Sequence, residues 1–254
     1  MNQARARITL ISLFFGAWFG GCQMPNASDR LSWDRIHSDI NQDPILTHDG
    51  IDDVLSKLDT RRLSELPDEY RRTAKLDQIA RSHYRHRTFY VVRPSDRQKF
   101  VVGHFRIRDF LPETSAADAH GDEQSPHFDW PVDAEETYLL IDSNLLHRLL
   151  DLILELKKQG HDHEAMTIYY GYRPPAHNHS INGAKKSQHL FGKAVDMWAG
   201  DINRDGETDM DDKMIILNIL ERKIFRGTGG VGRYLDDPRA IHFDTRRKKG
   251  RWDK

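Results

Sequence analysis

The stretch SQHLFGKAVDMWAGDINRDGETDMDD, Ser187 to Asp212, sets a polar, histidine-bearing turn against a short apolar run and then places six acidic residues within twelve positions. KAVDMW reads as a β-strand, and because strand side chains alternate between faces, Ala194, Asp196 and Trp198 share one side. His189 lies seven residues before Asp196, with Gly192 between them. A glycine permits close backbone approach, so a turn can fold His189 back beside Asp196. Two ligands are not enough, since a catalytic zinc takes three protein groups and keeps a fourth position open. His242 in AIHFDTR is the third candidate, on a strand whose Ile241 and Phe243 would face the core. Spacing alone does not single it out among 14 histidines.

The acidic half reads differently. Asp201, Asn203 and Asp205 fall at positions 1, 3 and 5 of a calcium loop, Gly206 at the sharp turn in position 6, and Asp209 and Asp212 at positions 9 and 12. Glu207 would contribute its backbone carbonyl. The helix expected after the loop, KMIILNILERKIF, is its exit helix, whereas the element before it is a strand. That arrangement resembles the calcium loop and following helix of dockerin modules more than a complete EF-hand. A cohesin-binding dockerin has two such loops, so the single loop is read as an insertion that Ca2+ rigidifies.

Outward from this stretch, Ile51, Val54, Leu55 and Leu58 have helical spacing, and SELPDEYRRTAKLDQIARSHYR repeats it less cleanly. FYVV and FVVGHFRI, separated by RPSDRQ, suggest a hairpin near residues 88 to 107. ETSAADAHGDEQSPHFDWPVDAEE is low in apolar residues and reads as a loop. Ser143 can cap a helix that buries Leu145, Leu146, Leu149, Leu150, Ile153 and Leu156 and stops at Gly160. MTIYYGYR reads as a strand ended by Pro174 and Pro175, and AIHFDT as the final strand. Helices and strands placed this unevenly favour α+β over a regular βαβ array.

At 254 residues the chain can bury one main core with extensions. With 38 basic against 39 acidic residues, no global charge points to nucleic acid, and none is expected as a partner. The beginning differs in kind: Arg5 and Arg7 precede ITLISLFFGAWF, which ends in Gly20, Gly21 and the single cysteine, Cys22. This reads as an export signal too short to span a bilayer comfortably. Small residues before a lone cysteine resemble the bacterial lipoprotein signal, although Phe19 stands where that signal usually has Leu. An ordinary cleaved signal is the alternative. With no second cysteine, Cys22 is better explained as a lipid anchor than as part of an internal disulfide.

GYRPPAHN (171–178), SQHLFGKAVD (187–196, the pattern S-x-H-x-x-G-x-A-x-D) and GGVGRY followed by IHFDT and RW (229–252) together resemble the zinc D-alanyl-D-alanine carboxypeptidases and murein endopeptidases. Their fold is shared with the hedgehog signalling domain, and the order of motifs is similar to the periplasmic branch ending in a His-x-Asp-Thr strand. The resemblance covers roughly residues 100 to 254. It implies an α+β fold with a small antiparallel sheet and flanking helices. It also implies His189, Asp196 and His242 as ligands of Zn2+, Arg173 as a cation that holds a substrate carboxylate or steadies the oxyanion, and peptidoglycan peptides as substrate.

Such a site needs a base. Many members carry a glutamate three residues before the last histidine ligand, where this sequence has Arg239. Asp244, on the same strand face as His242, is the nearest substitute, and orienting a ligand is its equally weighted alternative. Ser187 lacks a nucleophile elbow and reads as a turn residue. His161, His163, His177 and His179 read as solvated turn residues, and Tyr169, Tyr170 and Tyr172 as core or cleft wall. The expected organisation is therefore a lipoprotein-type signal (1–22), a polar tether (23–45), a helical extension (46–97) and a zinc peptidase-like domain (98–254) with its calcium loop at 201–212. The expected function is an exported zinc peptidase acting on stem peptides, anchored to a bacterial membrane; the alternative is a wall-binding lipoprotein that keeps the fold without turnover.

Overall fold

A computed structural model of the chain describes residues 43–67, 87–112 and 135–253. The export signal, most of the tether, most of the second N-terminal helix and most of the 113–136 loop lie outside them.

The longest helix follows directly from its leucine spacing. α3 (Ser143–Lys158) buries Leu145, Leu146, Leu149, Leu150, Leu152, Ile153 and Leu156 on one stripe. Its cap is Asp142, one residue earlier than expected, whose side chain accepts from the Asn144 amide. α1 (His48–Ser56) is capped by Thr47 and buries Ile51 and Leu55 in the same core as α3. Lys157 and Lys158 in the last turn of α3 complement its carbonyl end.

Three strands from distant parts of the chain form a small antiparallel sheet in the order β1 (Thr60–Arg62), β2 (Thr88–Val92), β5 (Thr137–Leu139). The hairpin expected over residues 88 to 107 does not form. RPSDRQ folds instead as one helical turn, α2 (Pro94–Arg97), because Pro94 presets the first helical φ and the Asp96 carboxylate accepts from the Arg93 amide. FVVGHFR then makes its own two-stranded ribbon, β3 (Phe100–Val102) with β4 (Phe105–Arg106). Residues 46–97, read as a helical extension, thus supply α1 and two strands, and their apolar side chains join the core cluster that contains Phe243.

The second sheet is five-stranded, in the order β10 (Gly250–Asp253), β8 (Gly230–Arg233), β9 (Ala240–Asp244), β7 (Ala194–Trp198), β6 (Thr167–Tyr170). Three of its four pairings are antiparallel, and at the edge β10 runs parallel to β8. AIHFDT is therefore not the last strand: GRWD follows it, and four residues without apolar alternation gave no strand signal. The α+β class holds, with helices packed on small, mainly antiparallel sheets. α4 (Pro175–Ser180) follows β6, and α5 (Met210–Ile219) continues through a wider π turn, Leu220–Ile224.

Leu149 sits fully buried at the centre of the α3 stripe. Leu149→Ala should lower unfolding stability by about 2–5 kcal/mol, read from the shift of a urea unfolding midpoint.

Candidate metal centre

Residues paired across neighbouring strands project side by side from the same face of a sheet. Tyr170 pairs with Asp196, Asp196 with His242, His242 with Gly232, and Gly232 with Trp252, so one row crosses all five strands. Two positions along, Ala194 pairs with Asp244 and Asp244 with Gly230. The two glycines of β8 are what leaves room for these side chains. A Cβ on Gly230 would stand 2.2 Å from Asp244 Oδ2, and one on Gly232 would stand 2.6 Å from the Trp252 indole nitrogen.

His189 reaches the row from outside the sheet. It lies on a 3-10 turn, Gln188–Phe191, closed by Gly192 at φ 62°. A Cβ at Gly192 would be 2.1 Å from the Leu140 carbonyl, so the tight return that brings His189 back toward β7 depends on glycine. The ring is held from behind: His189 Nδ1 donates to the Gly171 carbonyl at 2.7 Å, which leaves Nε2 as the bare nitrogen. The Arg173 amide in turn donates to the His189 carbonyl at 3.2 Å.

His189 Nε2 stands 3.2 Å from His242 Nδ1 and 3.3 Å from Asp196 Oδ2, and His242 Nδ1 stands 2.7 Å from Asp196 Oδ1. Ligands bonded at about 2.0–2.1 Å in a tetrahedron are separated by about 3.3 Å, so two of these spacings already fit a zinc ion. All three residues are buried, and among the described residues they form the one group of three His, Cys, Asp or Glu side chains with ligand atoms within 4.8 Å of one another. The group opens on a cleft of about 400 Å³ lined by Arg173, Lys186, Ser187, Gln188, Tyr234, Arg246 and Trp252, among others.

The charges follow from this packing. Burial, reinforced by Arg173, pushes the His189 imidazole down to about 4 and keeps it neutral. Burial opposes the Asp196 charge, yet the two imidazoles hold that carboxyl well below its ordinary range. Arg173 Nη2 also donates to Asp196 Oδ2, and the Tyr234 hydroxyl donates to Oδ1 at 3.2 Å. Burial and the Asp196 charge keep the Tyr234 phenol protonated by raising its pKa.

Asp244 lies on the far side of His242. Its Oδ2 accepts from His242 Nε2 at 3.0 Å, and Arg246 closes on both carboxylate oxygens with Nε at 2.8 and 2.9 Å and Nη2 at 2.6 Å. This fully buried carboxylate fixes which His242 nitrogen is bare, which is the arrangement that orients a ligand. Its own pKa is held below the carboxylate range because His242 and Arg246 outweigh burial. Arg239 takes no part: its guanidinium turns to Asp237 at 3.5 Å and to the Trp198 ring at 5.6 Å.

The loop at 201–212 spends its side chains on its own backbone. Asp201 accepts from the Asp205 and Gly206 amides, Asn203 from Asp205, Asp205 from Glu207, and Asp209 caps α5 through the Asp211 amide. Asp212 is buried and accepts from Ile202, Asn203 and Asp209. Gly206 takes the positive φ expected at the sharp turn, 91°.

His177 is the clearest correction among the histidines. Expected in solvent, it is 2% exposed and meets the Tyr170 ring edge-on at 5.6 Å, because the helical turn begun by Pro175 folds it inward against β6. Its neighbour His179 is exposed as expected. Tyr234 and Trp252 were not singled out. Both belong to quoted motifs, but only the strand register brings them to the site.

Both His177 and His189 are pushed down to about 4 from an ordinary value of 6.5. Between those values the unfolded chain binds protons that the folded chain excludes, so stability rises with pH there. His242, raised above 6.5 by Asp196 and Asp244 against the effect of burial, opposes this slope only near the top of the window, where the unfolded imidazole begins to lose its proton. The melting temperature of chelator-treated protein should therefore fall as pH is lowered from 6.5 to 4.

Residues 132–244 match the family model described as Peptidase M15. No curated protein and no solved structure matches the chain. The match spans Arg173, His189, Asp196, Tyr234, His242 and Asp244. The matched region carries the whole buried His-Asp-His group.

Proposed function

We propose that this protein is a zinc-dependent peptidase that hydrolyses peptidoglycan stem peptides at a bond next to a D-amino acid. The observation that carries the reading is the convergence of His189 Nε2, Asp196 and His242 Nδ1 at the floor of an open cleft. A zinc ion held there supplies Lewis acidity, polarising a peptide carbonyl and making water acidic near neutral pH. The chain's own residues do the rest. The Gly171 carbonyl and Asp244 hold the two imidazoles with their bare nitrogens toward Asp196. Arg173, whose buried Nε is unpaired while Nη2 holds Asp196, is the cation for a substrate carboxylate or a developing oxyanion.

A second reading, a wall-binding protein without turnover, is favoured by two observations. Arg239 stands where a glutamate is common in the resembled family, and both oxygens of Asp244 are engaged by His242 and Arg246. We further propose export and anchoring through lipid on Cys22, which rests on the Arg5, Arg7 and Gly20-Gly21-Cys22 pattern. The loop at 201–212 is proposed to take Ca2+, with Asp201, Asn203, Asp205, Glu207, Asp209 and Asp212 at the ligand positions.

Zinc-loaded protein incubated with purified sacculi and with peptides ending in D-Ala-D-Ala should release cleaved products, and His189→Ala should reduce release to background. Intact sacculi and intact peptides, with sacculus binding retained, would leave the wall-binding reading standing in its place. Calcium added to metal-free protein should raise the melting temperature, and an unchanged melting temperature removes calcium from the description.

A further inference from the structure

Lys213, on α5 just past the acidic loop, is 1% exposed. A buried ammonium is expensive unless its donors are satisfied, and here burial lowers the lysine pKa. Its Nζ donates to two backbone carbonyls, Tyr234 at 2.6 Å and Asp237 at 2.7 Å. These carbonyls bound the turn that joins β8 to β9, which is closed by the Asp237 amide on the Tyr234 carbonyl at 3.2 Å. Each end of that turn leads into the metal group. Tyr234 directs its hydroxyl onto Asp196 Oδ1 at 3.2 Å and lines the cleft. The Asp237 carboxylate accepts from the Arg239 and Ala240 amides and so starts the strand that carries His242.

We propose that Lys213 is a positioning residue for the metal centre: its ammonium pins the 234–237 turn so that the Tyr234 hydroxyl stays on Asp196 and β9 enters the sheet in the register that presents His242. This rests on the metal-binding part of the reading above and is independent of hydrolysis. It assigns α5 a role at the site, although the helix contributes no ligand to it. An apolar side chain at 213 would suit the buried position better if packing were its only task, and two carbonyls from one turn are a specific target for three ammonium donors. Asp196 also sits five residues before the loop that α5 follows, so the same helix reaches the carboxylate along the chain and across the turn.

Cobalt(II) is the probe. Chelator-treated wild type, Lys213→Met, Tyr234→Phe, the double variant and Met214→Ala, an exposed neighbour on α5, are titrated with cobalt, and affinity and the visible d–d bands are recorded. Loss of a contact that orients a metal ligand typically weakens binding about tenfold or more. Lys213→Met and Tyr234→Phe should each weaken cobalt binding by about tenfold and move the bands, while Met214→Ala matches wild type. The double variant should be no weaker than the more affected single variant, because both changes break one chain of contacts. Wild-type affinity and bands in Lys213→Met, or losses that multiply in the double variant, overturn the proposal. If Lys213→Met does not fold, Tyr234→Phe decides: altered bands support the proposal and unchanged ones overturn it. A wild type that takes up cobalt but cleaves no peptide removes the peptidase reading and leaves this one intact, whereas a wild type that takes up no cobalt removes both.

Discussion

The direct pairing of Asp196 with His242 across β7 and β9 is the constraint on which the site rests. A one-residue slip of either strand would send one ligand to the opposite face of the sheet and one core residue into the cleft. Register is fixed by what lies behind the ligands: Val195 and Met197 on β7, and Ile241 and Phe243 on β9, are fully buried. Hydrophobic alternation thus performs the alignment, and the polar residues between those positions inherit it. The glycines of β8 then keep the neighbouring strand from filling the space that Asp244 and Trp252 occupy.

Burying a carboxylate, two imidazoles, a guanidinium and a phenol together is tolerable only because each finds a partner. Asp196 is touched by Arg173, His189, His242 and Tyr234, and Asp244 by His242 and Arg246. The result is a polarised row, with neutral His189 and negative Asp196 facing the cleft and a second negative charge tucked beneath His242. Such a row is rigid because removing any one member leaves another buried group unsatisfied.

Much of this was legible in the sequence, and the residues show why. The stripe of α3 and the strands at 194–198 and 240–244 follow from periodicity, which burial imposes directly. The three candidate ligands came from motif resemblance, and the structure brings them together. What did not show were properties of pairing. β2 gives the same signal whether it pairs with β3 or with β5, and FVVGHFR was read as half of a longer hairpin for that reason. β8 is glycine-rich because its neighbours need room, which reads as a poor strand until the neighbours are known. His177 looked polar and loop-bound, yet a proline-started turn carries it inward, and nothing in the spacing of the exit helix marks Lys213 as buried.

The strand order carries one more consequence. β9 sits between β7 and β8, although β8 precedes it in the chain, so β8 has neither of its sheet neighbours until β9 and β10 are in place. The outer strands are therefore joined to β7 and β6 by the same strand that delivers His242. Without β9 the sheet carries only two of the three candidate ligands, His189 beside β7 and Asp196 on it. The candidate metal group and the joining of the sheet's two halves thus come into being together, so metal uptake would report that β7 and β9 have paired.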